Sequence, residues 1–327
     1  MNVLITVLEL LLFPGLLFVS AAGLLVAGFD RKVLARMQRR IGPPIMQPFY
    51  DFFKLIGKET IVPHSANRYV FIGAPIVGFI SLVVMMLFIP ICGWSALSGS
   101  GDLIIILYLL TIPAVALIVA GACSGSPYAG VGISREMVTM ISYELPLILV
   151  FLAVAKLVGG DTLTFAFKDI SAWQAGNGPI IAHISMIPAA LAMLLIIPAE
   201  VGSQPFDVAE AETEICEGPL VEYSGTPLAF FKLNTSLKMF IMTALFTSLF
   251  LGGFSCENWF GDAVPKVICL LINGLIVVII SILLTLICMT LIHASAARFK
   301  IEHLFKFYWT IVSGLALISL ILVWIGL

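Results

Sequence analysis

Apolar residues in this chain do not alternate with polar ones. They run unbroken in windows of about 20 residues, the length of a helix that crosses a hydrocarbon core. The windows are Leu4 to Ala27, Tyr69 to Cys92, Leu103 to Ala122, Met137 to Leu157, Ile180 to Ala199, Leu237 to Phe254, Val267 to Ile292 and Phe305 to Ile325. This pattern predicts an all-α integral membrane protein with about eight transmembrane helices, residues 1–327 forming a single membrane domain. A β-barrel would need period-two alternation and is disfavoured. The first window lacks a basic leader and is long for a signal-peptide core, so it is expected to stay as a span. No internal repeat is visible, which argues against a carrier of the inverted-repeat type.

Polar residues concentrate between the windows. The segment 28–68 carries Arg31, Lys32, Arg36, Arg39, Arg40, Lys54, Lys58 and Arg68, and the connections after the third, fifth and seventh windows hold Arg135, Lys232, Arg298 and Lys300. The opposite connections hold little beyond Lys168, so the positive-inside rule expects cytoplasmic odd-numbered loops and both termini outside. Within the basic loop, "QPFYDFFKLIGKE" sets Asp51, Lys54 and Lys58 on one side of a helix that Pro48 can start. It reads as an amphipathic helix in the membrane interface, as a partner-binding segment, or as both.

Composition adds exclusions. With 61% hydrophobic and 11% charged residues at a net charge of −2, the chain belongs to the membrane class and offers no nucleic-acid surface. Its cysteines (Cys92, Cys123, Cys216, Cys256, Cys269 and Cys288) show no ligand or CxxC spacing, so no metal, iron–sulfur cluster or disulfide framework is expected in this chain. Lys156, Lys238 and Lys266 read as snorkelling residues near span ends, and His183 and His293 as interfacial histidines.

The candidate chemistry is acidic. Of 19 carboxylates, six (Asp207, Glu210, Glu212, Glu214, Glu217 and Glu222) fall in an expected acidic cytoplasmic loop, 202–233. A helix from Phe206 to Gly218 would align Asp207, Glu210, Glu214 and Glu217 and turn Glu212 away. Such a row must be paired with cations from elsewhere or be partly protonated. A solvated loop facing a partner's basic surface is the competing reading. Other acids continue into the spans: Glu144 lies about two turns into the fourth window, Glu136 and Arg135 stand at its mouth, and Glu200 closes the fifth. Carboxylates at such depth are candidates for proton handling. Their proton affinities would be coupled, but the chain has no ligand set for redox chemistry of its own.

Three stretches, "RRIGPPIMQPFYDFFKLIGKE", "GSPYAGVGISREMVTMISYE" and "PFDVAEAETEICEGPLVEYSG", together resemble the H-subunit family of respiratory complex I and its hydrogenase relatives over nearly the whole chain. The resemblance implies a non-redox subunit that joins a peripheral redox arm to the membrane arm of a plasma-membrane complex. It matches Glu144 to the family's S-Y-E glutamate, Asp207, Glu210, Glu212 and Glu214 to its P-F-D-x-x-E-x-E-x-E motif, Glu222 to E-Y-S-G, and Glu200 to the acid five residues before the motif's proline. The short "GPPIMQPFYD" and Ser203, where the quinone-reducing branch usually has Arg, point to the hydrogenase branch, as do "EGPLVEYSG" and "GSPYAGVGISRE". That branch implies ferredoxin-linked electron transfer, hydrogen evolution, and proton or sodium translocation. The implied partners are hydrogenase-like large and small subunits, an iron–sulfur subunit and antiporter-like membrane subunits, with iron–sulfur clusters and a NiFe centre held by those partners. A quinone-reducing subunit, a sulfur-reducing relative, a purely structural anchor and a stand-alone transporter are the alternatives.

Overall fold

The structure is a computed structural model that describes residues 11–91, 97, 102–160, 162–252 and 266–326. The regular elements among them are helical, and the main ones are α1 Leu16–Met37, α2 Gln47–Ile56, α3 Arg68–Phe88, α4 Asp102–Ser124, α5 Pro127–Gly159, α6 Phe167–Asn177, α7 Ile187–Val201, α8 Glu212–Ile215, α9 Gly225–Phe246, α10 Lys266–Thr285, α11 Ile301–Phe307 and α12 Ser313–Ile325, with a further turn of helix at Leu291–Ser295. Single π turns extend α9 (Thr247–Leu251) and α10 (Leu286–Thr290), and another joins α11 to α12 (Tyr308–Val312).

Seven helices among the described residues are long and apolar enough to cross a membrane. The expected eighth is the first window, whose residues 4–10 lie outside the described part. Its described helix, α1, carries Asp30, Arg31 and Lys32 in its second half. Cys92 and Cys256 also lie outside the described residues, as does the side chain of Lys266; Cys123, Cys216 and Cys288 are free thiols.

The ends of the spans follow local chemistry. Asn67 caps α3 by accepting from the Tyr69 amide at 3.1 Å. Pro127 opens α5, and Gly202 ends α7 in the left-handed conformation at φ 74°. Packing centres on α9, which touches α1, α2, α3, α7 and α10. Its most apolar window is 89% buried, against 28% for Ile301–Ile325, so α9 is a core helix and α11–α12 lies at the periphery. Gly23 lets α1 cross α9 closely, since a Cβ there would meet the Ser236 carbonyl at 2.8 Å.

The odd-numbered connections gather on one face. The Ile61 amide donates to Ser224 Oγ, the Cys123 thiol to the Asn67 carbonyl, the Tyr223 hydroxyl to the Ala120 carbonyl, and the Phe299 amide to the Pro205 carbonyl. On the opposite face, Asp102 accepts from the Phe167 amide, and Gln174 Nε2 donates to the Leu249 carbonyl in the π turn after α9.

Candidate functional site: a buried acid and lysine cavity

A cavity with about 60 Å³ of room for water centres lies beneath the face where the odd connections meet. One water needs only about 10–15 Å³ by that measure, and the walls are polar enough to hold several. Helical spacing builds the walls. On α5, Glu136 and Thr139 are one turn apart, and on α9, Asn234 and Lys238 are one turn apart. The last turn of α7 brings Glu200, and the chain beyond it adds Asp207 and Glu210.

Lys238 is the central cation. Its Nζ lies 3.0 Å from Glu200 Oε1 and donates to the Glu200 backbone carbonyl at 3.2 Å, with the two side chains 10% and 2% exposed. That carbonyl sits in the last turn of α7, where helix carbonyls lack intrahelical partners and the dipole favours a cation. The Tyr143 side chain, one further turn along α5, is buried beside Glu200. Thr139 Oγ1 reaches Glu136 Oε2 at 3.4 Å, and Asn234 Nδ2 donates to the Pro75 carbonyl at 3.1 Å, tying α9 to α3.

The acidic stretch is not the single helix that its spacing predicts. Only Glu212–Ile215 is helical, and Cys216, Glu217 and Gly218 follow in the left-handed region at φ 50°, 68° and 51°. A Cβ on Gly218 would collide with the Ala209 carbonyl, so the turn requires glycine there. The physical reason is electrostatic as well as steric: a continuous helix would line up four like charges, whereas the folded-back chain takes Asp207, Glu214 and Glu217 to three different cations and turns Glu210 into the cavity. Arg298 Nε and Nη2 donate to both Asp207 oxygens at 2.8 and 2.6 Å. Arg135 Nη1 donates to Glu214 at 2.6 Å and to the Val208 carbonyl at 3.3 Å, and Lys232 stands 3.9 Å from Glu217. The clasp by Asp207 pushes the Arg298 guanidinium further above its usual range.

Glu210 has no such clasp. Burial pushes its carboxyl up to about 7, against the attraction of Lys232 and with Glu136, Glu217 and Asp207 adding repulsion. It therefore exchanges a proton near neutrality beside the other cavity acids, and a charge change at one of them shifts the rest.

The predicted residues thus divide. Glu136, Glu200, Asp207 and Glu210 meet at the cavity; Arg135, Glu214 and Glu217 form ion pairs around it; Glu212 and Glu222 are exposed. Glu144 is not a wall residue, although it lies near enough to Glu200 for their charges to interact. It borders the exposed apolar face of α5 made by Met137, Ile141, Leu145 and Ile148. α5 begins at Pro127, so Arg135 and Glu136 stand more than two turns, and Glu144 more than four turns, from the first residue of the helix.

Lys238 corrects a further expectation. It does not snorkel, because α9 begins at Gly225 and carries it about three and a half turns deep. Reading the helix from Pro227, a favoured first-turn residue, would have revealed that depth. The same start leaves 202–224 as the acidic connection and makes 225–233 helical. Arg298, Tyr143 and Asn234 gave no comparable local signal. Asp30, which accepts from Thr290 Oγ1 at 2.5 Å across α1 and the π turn after α10, was also missed.

Residues 9–324 match the family model described as NADH dehydrogenase, which covers the first, or H, membrane component of complex I. The chain belongs to this NADH dehydrogenase family. Among members of the family it is 34% identical to Hydrogenase-4 component C of Escherichia coli K12, covering 84% of this chain and 83% of that protein. It is 32% identical to the H subunit of NADH-quinone oxidoreductase from Wolbachia pipientis wMel, covering 99% and 96%. A chain of an archaeal respiratory membrane complex, the membrane-bound sulfane sulfur reductase, superposes with a TM-score of 0.86 at 31% identity, covering 97% of this chain and 99% of its own.

Proposed function

We propose that this multi-pass membrane protein is the subunit of a complex I-like, hydrogenase-type respiratory complex that couples electron transfer in a peripheral arm to ion movement in the membrane arm. The observation that carries the reading is the Glu200–Lys238 pair, buried at a polar cavity beside Glu136 and Glu210. A buried ion pair is a costly way to gain stability, and groups with coupled proton affinities respond to a charge arriving nearby. The acidic connection links that cavity to the face carrying the basic loop, through Asp207 and Arg298 and through Glu214 and Arg135. Following the positive-inside rule, that face is cytoplasmic, both termini lie outside, and the peripheral arm docks on it. The ferredoxin-linked, hydrogen-evolving branch is supported by the likeness to Hydrogenase-4 component C and by Ser203; NiFe and iron–sulfur centres then reside in partner subunits, beside antiporter-like membrane subunits.

In liposomes holding the assembled complex, Glu200→Gln and Glu144→Gln should abolish ion translocation while artificial electron donors are still oxidised. Unchanged translocation in both variants would sink the coupling role and leave the anchor. The anchor reading draws its own support from Asp207 and Glu214, whose arginine pairs hold the loop in place. Mass spectrometry of the copurifying large subunit decides the branch: two CxxC pairs able to hold NiFe favour the hydrogenase, and their loss favours a quinone- or sulfur-reducing complex.

A further inference from the structure

A second groove, about 260 Å³, lies between α1, α2 and α9, away from the acid cavity. Four cations line it, Arg31, Lys54, Lys58 and Lys232, against the single carboxylate of Asp51. Asp51 is already held by Arg31 at 3.0 Å, and the Lys232–Glu217 pair is long and exposed on both sides. Lys54 and Lys58 enter no ion pair among the described residues. The same groove has an apolar wall of Leu24, Phe52, Leu228 and Leu233. Outside it, α2 turns Tyr50, Phe53 and Ile56 outward, 61%, 66% and 43% exposed. Exposed aromatics on a short helix with lysines at its end are the signature of the headgroup level of a bilayer.

Excess positive charge and an apolar wall in one concavity at that level fit one class of ligand. A soluble anion would leave the wall wet, and a neutral lipid would leave the lysines without a counter-charge. We propose that the groove binds an anionic glycerophospholipid, its phosphate at Lys54, Lys58 and Lys232 and its acyl chain along Leu24, Phe52 and Leu233.

The test uses the assembled complex, delipidated in neutral detergent and titrated separately with phosphatidylglycerol and phosphatidylcholine of identical chains, with bound lipid counted by native mass spectrometry. Phosphatidylglycerol should bind preferentially. Lys54→Gln, Lys58→Gln and Lys232→Gln should each weaken it about fivefold, and the triple variant on the order of a hundredfold. Replacing the three lysines by arginine should keep the preference. Equal binding of the two lipids by the wild type would overturn the proposal even if the glutamine variant failed to assemble. So would an unchanged preference in the glutamine triple, or its loss in an intact arginine triple. Displacement of phosphatidylglycerol by glycerol 3-phosphate at equal concentration would identify a free-phosphate site and overturn it too.

Discussion

Lys232 and Lys238 stand on the same helix, six positions apart, and both face a glutamate, yet they belong to different physical regimes. Lys232 meets Glu217 at 3.9 Å with 48% and 41% of the side chains exposed; Lys238 meets Glu200 at 3.0 Å with 10% and 2% exposed. Water screens the first pair and competes for both partners. The second has exchanged hydration for its partner, for the end of α7 and for the cavity, so each group depends on the other. The density of acids around residues 202–224 is therefore misleading as a guide to function: half of those charges, Asp207, Glu214 and Glu217, pair with cations around the loop, while the pair carrying the coupling argument involves one acid just before the loop and one lysine well after it.

The hardest test of this contrast is Lys238→Met, which strands Glu200. It should cost about 3–5 kcal/mol, read as a lower unfolding temperature of the purified complex, and Glu200→Gln added to it should restore most of the loss. A double variant no better than the single would mean that the two are not coupled. Next comes Asp207→Asn, which breaks the two-pronged bond from Arg298. Loss of charged hydrogen bonds of this kind costs about 1.5–3 kcal/mol, visible as faster protease cleavage within 202–224. Gly132→Ala attacks the seat of the same connection sterically, because its Cβ would fall 2.5 Å from Pro219 Cδ. Overpacking of about 1–3 kcal/mol is expected, with the cleavage phenotype of Asp207→Asn but no change in salt dependence.

Glu210 supplies a pH test between those extremes. Its folded-state value, about 7, lies above the ordinary 4.5, so the folded loop keeps a proton that the unfolded chain releases. The contribution is fully present below 4.5 and is lost as pH rises through about 7. Loop protection should decline over that window in the wild type, and Glu210→Gln should flatten the decline. Smallest of all should be Glu217→Gln, below about 1 kcal/mol, with an effect that salt removes. A loss as large as that of Lys238→Met would erase the distinction between the two lysines.

The amino-acid sequence by itself determined the membrane class, the helical architecture and the family, because unbroken apolar windows and ordered local motifs are properties of contiguous residues. It also named four of the cavity acids, Glu136, Glu200, Asp207 and Glu210, since carboxylates in so apolar a chain stand out. Tertiary structure alone decided which of them share a cavity and which face solvent. Asp207 and Arg298 are separated by 91 residues and Glu200 and Lys238 by 38, and no helical period relates positions on different helices. The left-handed run at Cys216, Glu217 and Gly218 broke the periodic reading of the acidic stretch at the point where the chain trades a row of repelling charges for separate partners. Burial sets how much a charge matters, and burial belongs to the packed bundle around α9.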